Sequence, residues 1–341
     1  MADKAGTEQQ HLTLHSHLRA VVTSKKHTEL CNSVIPSLID GISEIAKALR
    51  GSQKVSLAGS ANAFGDDQLN VDVLAEDIIR DAIAKCPSVA TASSEEDPVE
   101  RPAGRHERNS RDGPEEQYTV AFDPLDGSSI IAPNWAVGTI IGIWEGSTAL
   151  QQPPAAKQVA AILGVFGPRA VAVVAVRVPG YEGVCFEVGL SEDGKNWDAE
   201  ILRPSIRFAK PPFKSRYFAP ANLRAAAEDE GYKALVMHFI QNKYTLRYSG
   251  GLVPDVVHAL VKGHGIYISP VTDKSKAKLR RLFELCPLAL IVECAGGLAI
   301  DPADGSNILD RQLEDVNERA GLVCGTKEDV NYVKESLCLA T

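Results

Sequence analysis

The 341-residue sequence has no CxxC pair, and its seven cysteines (Cys31, Cys86, Cys185, Cys286, Cys294, Cys324 and Cys338) are scattered and odd in number. This excludes a disulfide framework or a cysteine zinc centre and predicts reduced, buried thiols. No apolar run reaches the length of a membrane-crossing helix. The first ten residues lack the basic and apolar stretches of a secretory signal, and the C-terminal Cys-Leu-Ala-Thr is a poor prenylation site. The cytoplasm is the expected compartment. His11, His15 and His17 sit together in one amphipathic segment expected to fray, and paired imidazoles are missing elsewhere, so histidine chemistry has no support. A surplus of positive charge is also absent. The net charge of −8 argues against nucleic-acid or acidic-membrane partners, and any phosphate must be met by local basic patches and cations. Aromatics make up only 6% against 44% hydrophobic residues, which is ordinary for an α/β enzyme. The length suits one large domain or two tightly packed ones.

What is present alternates. Apolar periodicity predicts a helix from His11 to Arg50 and another from Gln68 to Cys86. Residues 97–116, rich in proline, glycine and charge, are expected to form a loop. Tyr118–Phe122 reads as a strand running into Asp123. Strands are also expected at 137–144, 169–178 and 184–190 and near Ile201. Beyond a boundary near Asn196–Leu202 the texture changes. Helices are expected at 223–242, 254–262 and 276–286, strands at 244–248 and 265–269, and a buried apolar segment at 288–294. This alternation predicts layered α/β structure with mixed sheets, divided into an N-terminal half (1–198) and a C-terminal half (199–341).

Acidic residues gather at the element boundaries. Asp66 and Asp72 flank the start of the second helix, and Glu95-Glu96 precede the loop. Asp123 and Asp126 straddle Pro124 at a strand end, and Glu293 closes the last apolar segment. Carboxylates at strand ends point into the crevice where α/β folds bind ligands. If several converge, like-charge repulsion raises their pKa values unless a hard divalent cation intervenes. Oxygen-only donors favour Mg²⁺ or Mn²⁺ over zinc. Gly127 permits close backbone approach, and the N–H groups of Gly127, Ser128 and Ser129 suit a phosphate oxyanion. The run Lys274-Ser-Lys-Ala-Lys-Leu-Arg-Arg281 concentrates five cations, of which Lys274, Lys278 and Arg281 would share one helical face. Arg247 offers a bidentate fork beside the Tyr248 hydroxyl. Asn222 and Arg224 open a helix, where an anion contact or simple capping would fit equally.

Phe122-Asp-Pro-Leu-Asp-Gly-Ser-Ser129 resembles the signature of the metal-dependent sugar bisphosphatases, relatives of inositol monophosphatase. The resemblance extends through Gly65-Asp-Asp-Gln68, Val71-Asp-Val-Leu74, Ser94-Glu-Glu-Asp97 and Val137-Gly-Thr-Ile140. It continues through Tyr244-Thr-Leu-Arg-Tyr-Ser-Gly-Gly251, Lys278-Leu-Arg-Arg-Leu-Phe-Glu284 and Glu293-Cys-Ala-Gly-Gly297. It implies an αβαβα layering with two mixed sheets. It also implies two or three Mg²⁺ ions held by Glu95, Asp123, Asp126, Glu293 and the Leu125 carbonyl. Asp72 and Glu96, with Asp66 in support, would orient and deprotonate the attacking water. Lys278 and Arg280 would contact substrate, and Arg247 would reach across a subunit interface in a homodimer or homotetramer.

Within that family, Ser128-Ser-Ile-Ile131, Phe218–Arg224 and Lys243–Asp255 are closer to the type acting on sedoheptulose 1,7-bisphosphate. Ser269 stands where the fructose type usually has a tyrosine. An enzyme acting on fructose 1,6-bisphosphate or on both sugars, and a non-catalytic sugar-phosphate sensor, are the alternatives. Plastid members of the sedoheptulose type carry a cysteine pair before the Gly65-Asp66 motif. Val55–Phe64 has none, so a thioredoxin-type switch is not expected.

Overall fold

The computed structural model describes residues 12–52, 54–61, 67–104, 116–191, 199–272 and 274–337. Asp66, residues 105–115 of the expected loop, and Cys338 lie outside them. The chain begins with helices α1 (Leu14–Val21) and α2 (Ile35–Gly51). A hairpin of β1 (Leu57–Ala61) and β2 (Asp67–Leu69) leads into α3 (Asn70–Ala84). Next come β3 (Val89–Ser94), β4 (Arg101–Pro102), β5 (Tyr118–Asp126), the single turn α4 (Ser128–Ile131) and β6 (Val137–Glu145). After the short α5 (Pro154–Lys157), strands β7 (Gln158–Phe166), β8 (Ala170–Val176), β9 (Val184–Gly189) and β10 (Ile201–Arg203) complete an eight-stranded sheet. Its order is β10-β9-β8-β7-β6-β5-β3-β4, antiparallel except for β3 beside β5.

The second half supplies β11 (Tyr217–Pro220), α6 (Glu230–Gln241), β12 (Thr245–Leu246), α7 (Leu252–Lys262) and β13 (Ile266–Ser269). Then follow β14 (Leu279–Arg280), α8 (Cys286–Cys294), β15 (Leu298–Ile300), β16 (Arg319–Ala320), β17 (Leu322–Gly325) and α9 (Lys327–Ser336). A mixed five-stranded sheet runs β12-β11-β13-β17-β15, and β14 pairs with β16 apart from it.

Side-chain alternation along the strands builds three apolar layers. Val120 and Phe122 of β5 face α2 and α3, whereas Ala121 between them faces α7 and α8. Tyr267 of β13 joins that same middle layer, while Ile266 and Ile268 face α6 and α9. The architecture is thus helix–sheet–helix–sheet–helix with two mixed sheets, as expected. Because β10 still belongs to the first sheet, the chain passes between sheets after residue 203, slightly later than a division at 198/199.

Three expected elements differ. The helix at His11–Arg50 is broken by an extended Val22 and a turn in which the Ser24 hydroxyl accepts from Lys26 N–H (3.2 Å). The helix at 223–242 is a short 3-10 turn (Leu223–Ala227) followed by α6, capped by Asp229. The helix at 276–286 does not form. Residues 274–278 are irregular, 279–280 are extended, and a single widened turn (Arg281–Leu285) enters α8. The apolar segment at 288–294 is itself helical, buried on every side between the two sheets. The six described cysteines are buried free thiols.

Candidate metal and phosphate site

β5 carries Asp123 into the middle of the molecule with every residue from Tyr118 to Asp126 buried. Pro124 has no N–H for the ladder, and the register with β6 shifts between Asp123 and Asp126. The turn is closed locally. Leu125 N–H donates to Asp123 Oδ1 (3.0 Å), and the Thr139 hydroxyl donates to the Pro124 carbonyl (2.8 Å). The neighbouring parallel strand β3 delivers Glu95, whose N–H donates to the Phe122 carbonyl (3.0 Å). The widened turn before α8 delivers Glu284, which accepts from Arg280 N–H (2.5 Å). One oxygen from each of Glu95, Asp123 and Glu284 lies within 4.8 Å of the others.

Three carboxylates so close disfavour one another's charge. Burial raises the Glu95 carboxyl to about 7, with Glu96 and Asp126 adding repulsion and Arg280 opposing it. Asp123 and Glu284 are held well above the usual carboxylate range by burial and then by Glu95. The Arg280 guanidinium pairs with Glu95. Oxygen-only donors at one buried point, raised because nothing neutralises them fully, fit a hard divalent cation. Asp72 stands nearby on the first turn of α3. Its Oδ2 accepts from Leu69 N–H (2.9 Å), and its buried Oδ1 has no hydrogen-bond partner among the described residues. Burial, with the Glu96 charge as a lesser contribution, raises Asp72 to about 6. The same Glu96 charge acts on Glu95, so Glu96 is near both.

Two expected ligands are placed differently. Asp126 borders the cluster, since its charge acts on Glu95, Asp123 and Glu284. Its oxygens, however, accept from Val253 N–H (2.7 Å) and Leu252 N–H (3.2 Å) at the start of α7. Glu293 is a correction: it sits at the far end of α8 and pairs with Arg177 Nη1 at 2.6 Å. A helix rises about 1.5 Å per residue, so α8 carries Glu293 roughly 13 Å along its axis from the turn that presents Glu284. Glu284, the candidate ligand in its place, lies inside Lys278–Glu284, where the motif itself was the signal.

Beside the carboxylates, Gly127 adopts φ 93°, and Ser128 and Ser129 open α4. A Cβ on Gly127 would meet Ile130 and Val137 at 3.3 Å, so both backbone sign and space favour glycine. Ser129, Asn222, Arg224, Tyr248 and Lys278 line one open cleft of about 1060 Å³. Asn222, itself at φ 50°, and Arg224 lie against the Tyr248 hydroxyl. Asp255 fixes the loop that follows by accepting from Ser249 N–H (2.7 Å) and Gly250 N–H (3.2 Å). Arg247 stands outside the cleft lining, directly after the edge strand β12. Its Nη1 donates to the Leu246 carbonyl (2.8 Å), and its guanidinium lies 5.8 Å from the centre of the Tyr217 ring. The expected shared face of Lys274, Lys278 and Arg281 does not exist, because Arg281 turns inward to pair with Asp301.

Metal-assisted phosphate-ester chemistry is what such an arrangement can perform. The family model described as fructose-1-6-bisphosphatase, N-terminal domain, matches residues 16–192, and that of the C-terminal domain matches 212–338. The chloroplastic sedoheptulose-1,7-bisphosphatase of Triticum aestivum is 39% identical over 83% of this chain and 67% of its own length. The class 1 fructose-1,6-bisphosphatase of Syntrophotalea carbinolica is 37% identical over 87% of each. A Toxoplasma gondii crystal structure assigned as a sedoheptulose-1,7 bisphosphatase superposes with TM-score 0.83 at 34% identity, covering 96% of this chain and 98% of that one. The fold and site define a metal-dependent sugar phosphatase. The chain belongs to the fructose-1,6-bisphosphatase family.

Proposed function

We propose that this enzyme, a phosphoric monoester hydrolase, removes the 1-phosphate of sedoheptulose 1,7-bisphosphate with Mg²⁺, giving sedoheptulose 7-phosphate and inorganic phosphate. The observation that carries the reading is the Glu95–Asp123–Glu284 group, close to Arg319 in the lining of a cation-rich cleft. Glu95, Asp123 and Glu284, with Asp126 beside them, are the residues to hold two or three Mg²⁺ ions, and Mn²⁺ has the same oxygen preference. When bound, such ions offset phosphoryl charge and acidify a water. Asp72 and Glu96 then orient the attacking water, and Asp72, its Oδ1 free to accept, takes the proton. The water oxygen forms the new bond to phosphorus as the bond to the C1 oxygen breaks, and that oxygen takes a proton from solvent on departure. The N–H groups of Gly127, Ser128 and Ser129 steady the phosphoryl oxygens. Asp66 is retained as support for Asp72.

At the other end of the cleft, Asn222, Arg224, Tyr248 and Lys278 are suited to the distal phosphate. Arg224, with the small Ser269 in the same lining, favours the longer seven-carbon sugar. Fructose 1,6-bisphosphate is the second reading, supported by the class 1 relatives. The sugars differ by one hydroxymethylene, and discrimination at that level is often only about 10–200-fold. Parallel kcat/KM values on both substrates with Mg²⁺ test the proposal, and a clear preference for fructose 1,6-bisphosphate overturns the sugar assignment. Among the described residues no helix is long and apolar enough to cross a membrane. We place the enzyme in the cytoplasm as a homodimer or homotetramer, with the β12 edge and its exposed Leu246 and Arg247 at a subunit contact.

A further inference from the structure

β14 and β16 form a two-stranded antiparallel ribbon in which Arg319 stands directly opposite Arg280. Directly opposed residues of an antiparallel pair project from the same face, and like charges in that relation weaken the pairing. Anions in front of such a ribbon offset that weakening. Glu95 answers Arg280. Arg319 is exposed in the cleft lining, and its charge also acts on Glu95, so it faces the end of the cleft where the carboxylates gather.

Its position is held from behind. Arg281 N–H donates to the Glu318 carbonyl (2.8 Å), while Glu318 accepts from Glu314 N–H (2.6 Å) and pairs with Arg311 (3.1 Å). A Cβ on Gly321, just beyond, would meet the Ser269 carbonyl at 2.6 Å, so the strand lies close against β13. Within the described lining, Arg224, Lys274, Lys276, Lys278 and Arg319 outnumber the lone carboxylate, Glu228. Arg224 belongs to the Tyr248 end of the cleft, whereas Arg319 belongs to the Glu95 end.

We propose that Arg319 is a substrate-binding residue that grips the departing phosphate, opposite Arg280 on the β14–β16 ribbon. This rests on the phosphatase reading above. A guanidinium offers two parallel donors to phosphate oxygens, which an ammonium cannot match. The test compares Arg319→Gln and Arg319→Lys with the unaltered enzyme in Mg²⁺, using inorganic phosphate as a product inhibitor. For Arg319→Gln, KM and the phosphate inhibition constant should rise together, roughly tenfold, and by more than kcat falls. Arg319→Lys should recover part of both. Calorimetry with inorganic phosphate on the metal-free protein should show weaker binding by the glutamine variant. An unchanged inhibition constant and unchanged calorimetric affinity would overturn the proposal. So would a lowered melting temperature with KM intact, since that marks a purely structural arginine. If the unaltered enzyme hydrolyses no sugar bisphosphate, the functional reading fails, and the calorimetric comparison still decides the role of Arg319.

Discussion

Glu284 and Glu293 bracket α8, and their surroundings assign them opposite roles. Glu284 shares its space with Glu95 and Asp123, whereas Glu293 has Arg177. Glu284→Gln should reduce Mg²⁺-dependent hydrolysis at least ~100-fold, read as phosphate release at saturating substrate. Glu293→Gln should leave that rate nearly intact but lower stability by about 1–3 kcal/mol in urea unfolding, because Arg177 loses its partner. Asp72 is testable through pH. Its carboxyl is raised from 3.8 to about 6 by burial, so the folded chain holds that proton more tightly than the unfolded one. The stabilisation is full below the unfolded value and is lost as pH rises through about 6, roughly 3 kcal/mol in all. Metal-free protein should therefore lose stability between pH 4 and about 6.5, and Asp72→Asn should flatten that slope. In the active enzyme kcat should climb through about pH 6 as Asp72 ionises, and the same variant should abolish the climb. Asp123 to Ser129 was legible in the sequence because seven consecutive residues hold two carboxylates, a turn and a phosphate loop. Glu284 was not legible as a ligand, because it joins the other carboxylates only through a turn that no local periodicity encodes.

At the level of elements, the meeting of β5 and α7 depends on a residue without a side chain. Gly138 of β6 stands opposite Asp126, and a Cβ there would lie 2.4 Å from Val253. That closeness lets the first N–H groups of α7 reach the Asp126 carboxylate, which answers helix donors that would otherwise have no partner. Gly138→Ala should push α7 away, costing about 1–3 kcal/mol by thermal unfolding and lowering activity with it. Amphipathic α3 and the flanks of β5, β6, β8 and β9 were readable from the sequence, since each shows one apolar face or a bounded apolar run. α8 was not, because Leu288 to Val292 are all buried and a helix apolar on every side has no period to read. β7 escaped for a similar reason, with buried residues on both faces of the sheet.

The whole molecule places one crowded carboxylate group, Glu95, Asp123 and Glu284, between its sheets, an arrangement that a bound divalent cation would stabilise. A cation at 100 times its dissociation constant adds about 2.7 kcal/mol to the folded state. Chelation should lower the melting temperature and remove activity together, and Mg²⁺ should restore both. An unchanged melting temperature would count against the Glu95–Asp123–Glu284 assignment. The layering itself followed from the alternation of elements, although the crossover between sheets falls after β10 because that short strand pairs back to β9. The pairing of Arg280 with Glu95 reaches further than local neutralisation. A cation that claims Glu95 liberates the guanidinium, and a phosphate that claims Arg280 liberates the carboxylate. The two ligands should therefore be synergistic, each sharpening the affinity for the other by one common factor, on the order of 5–150-fold. Neither should bind tightly alone.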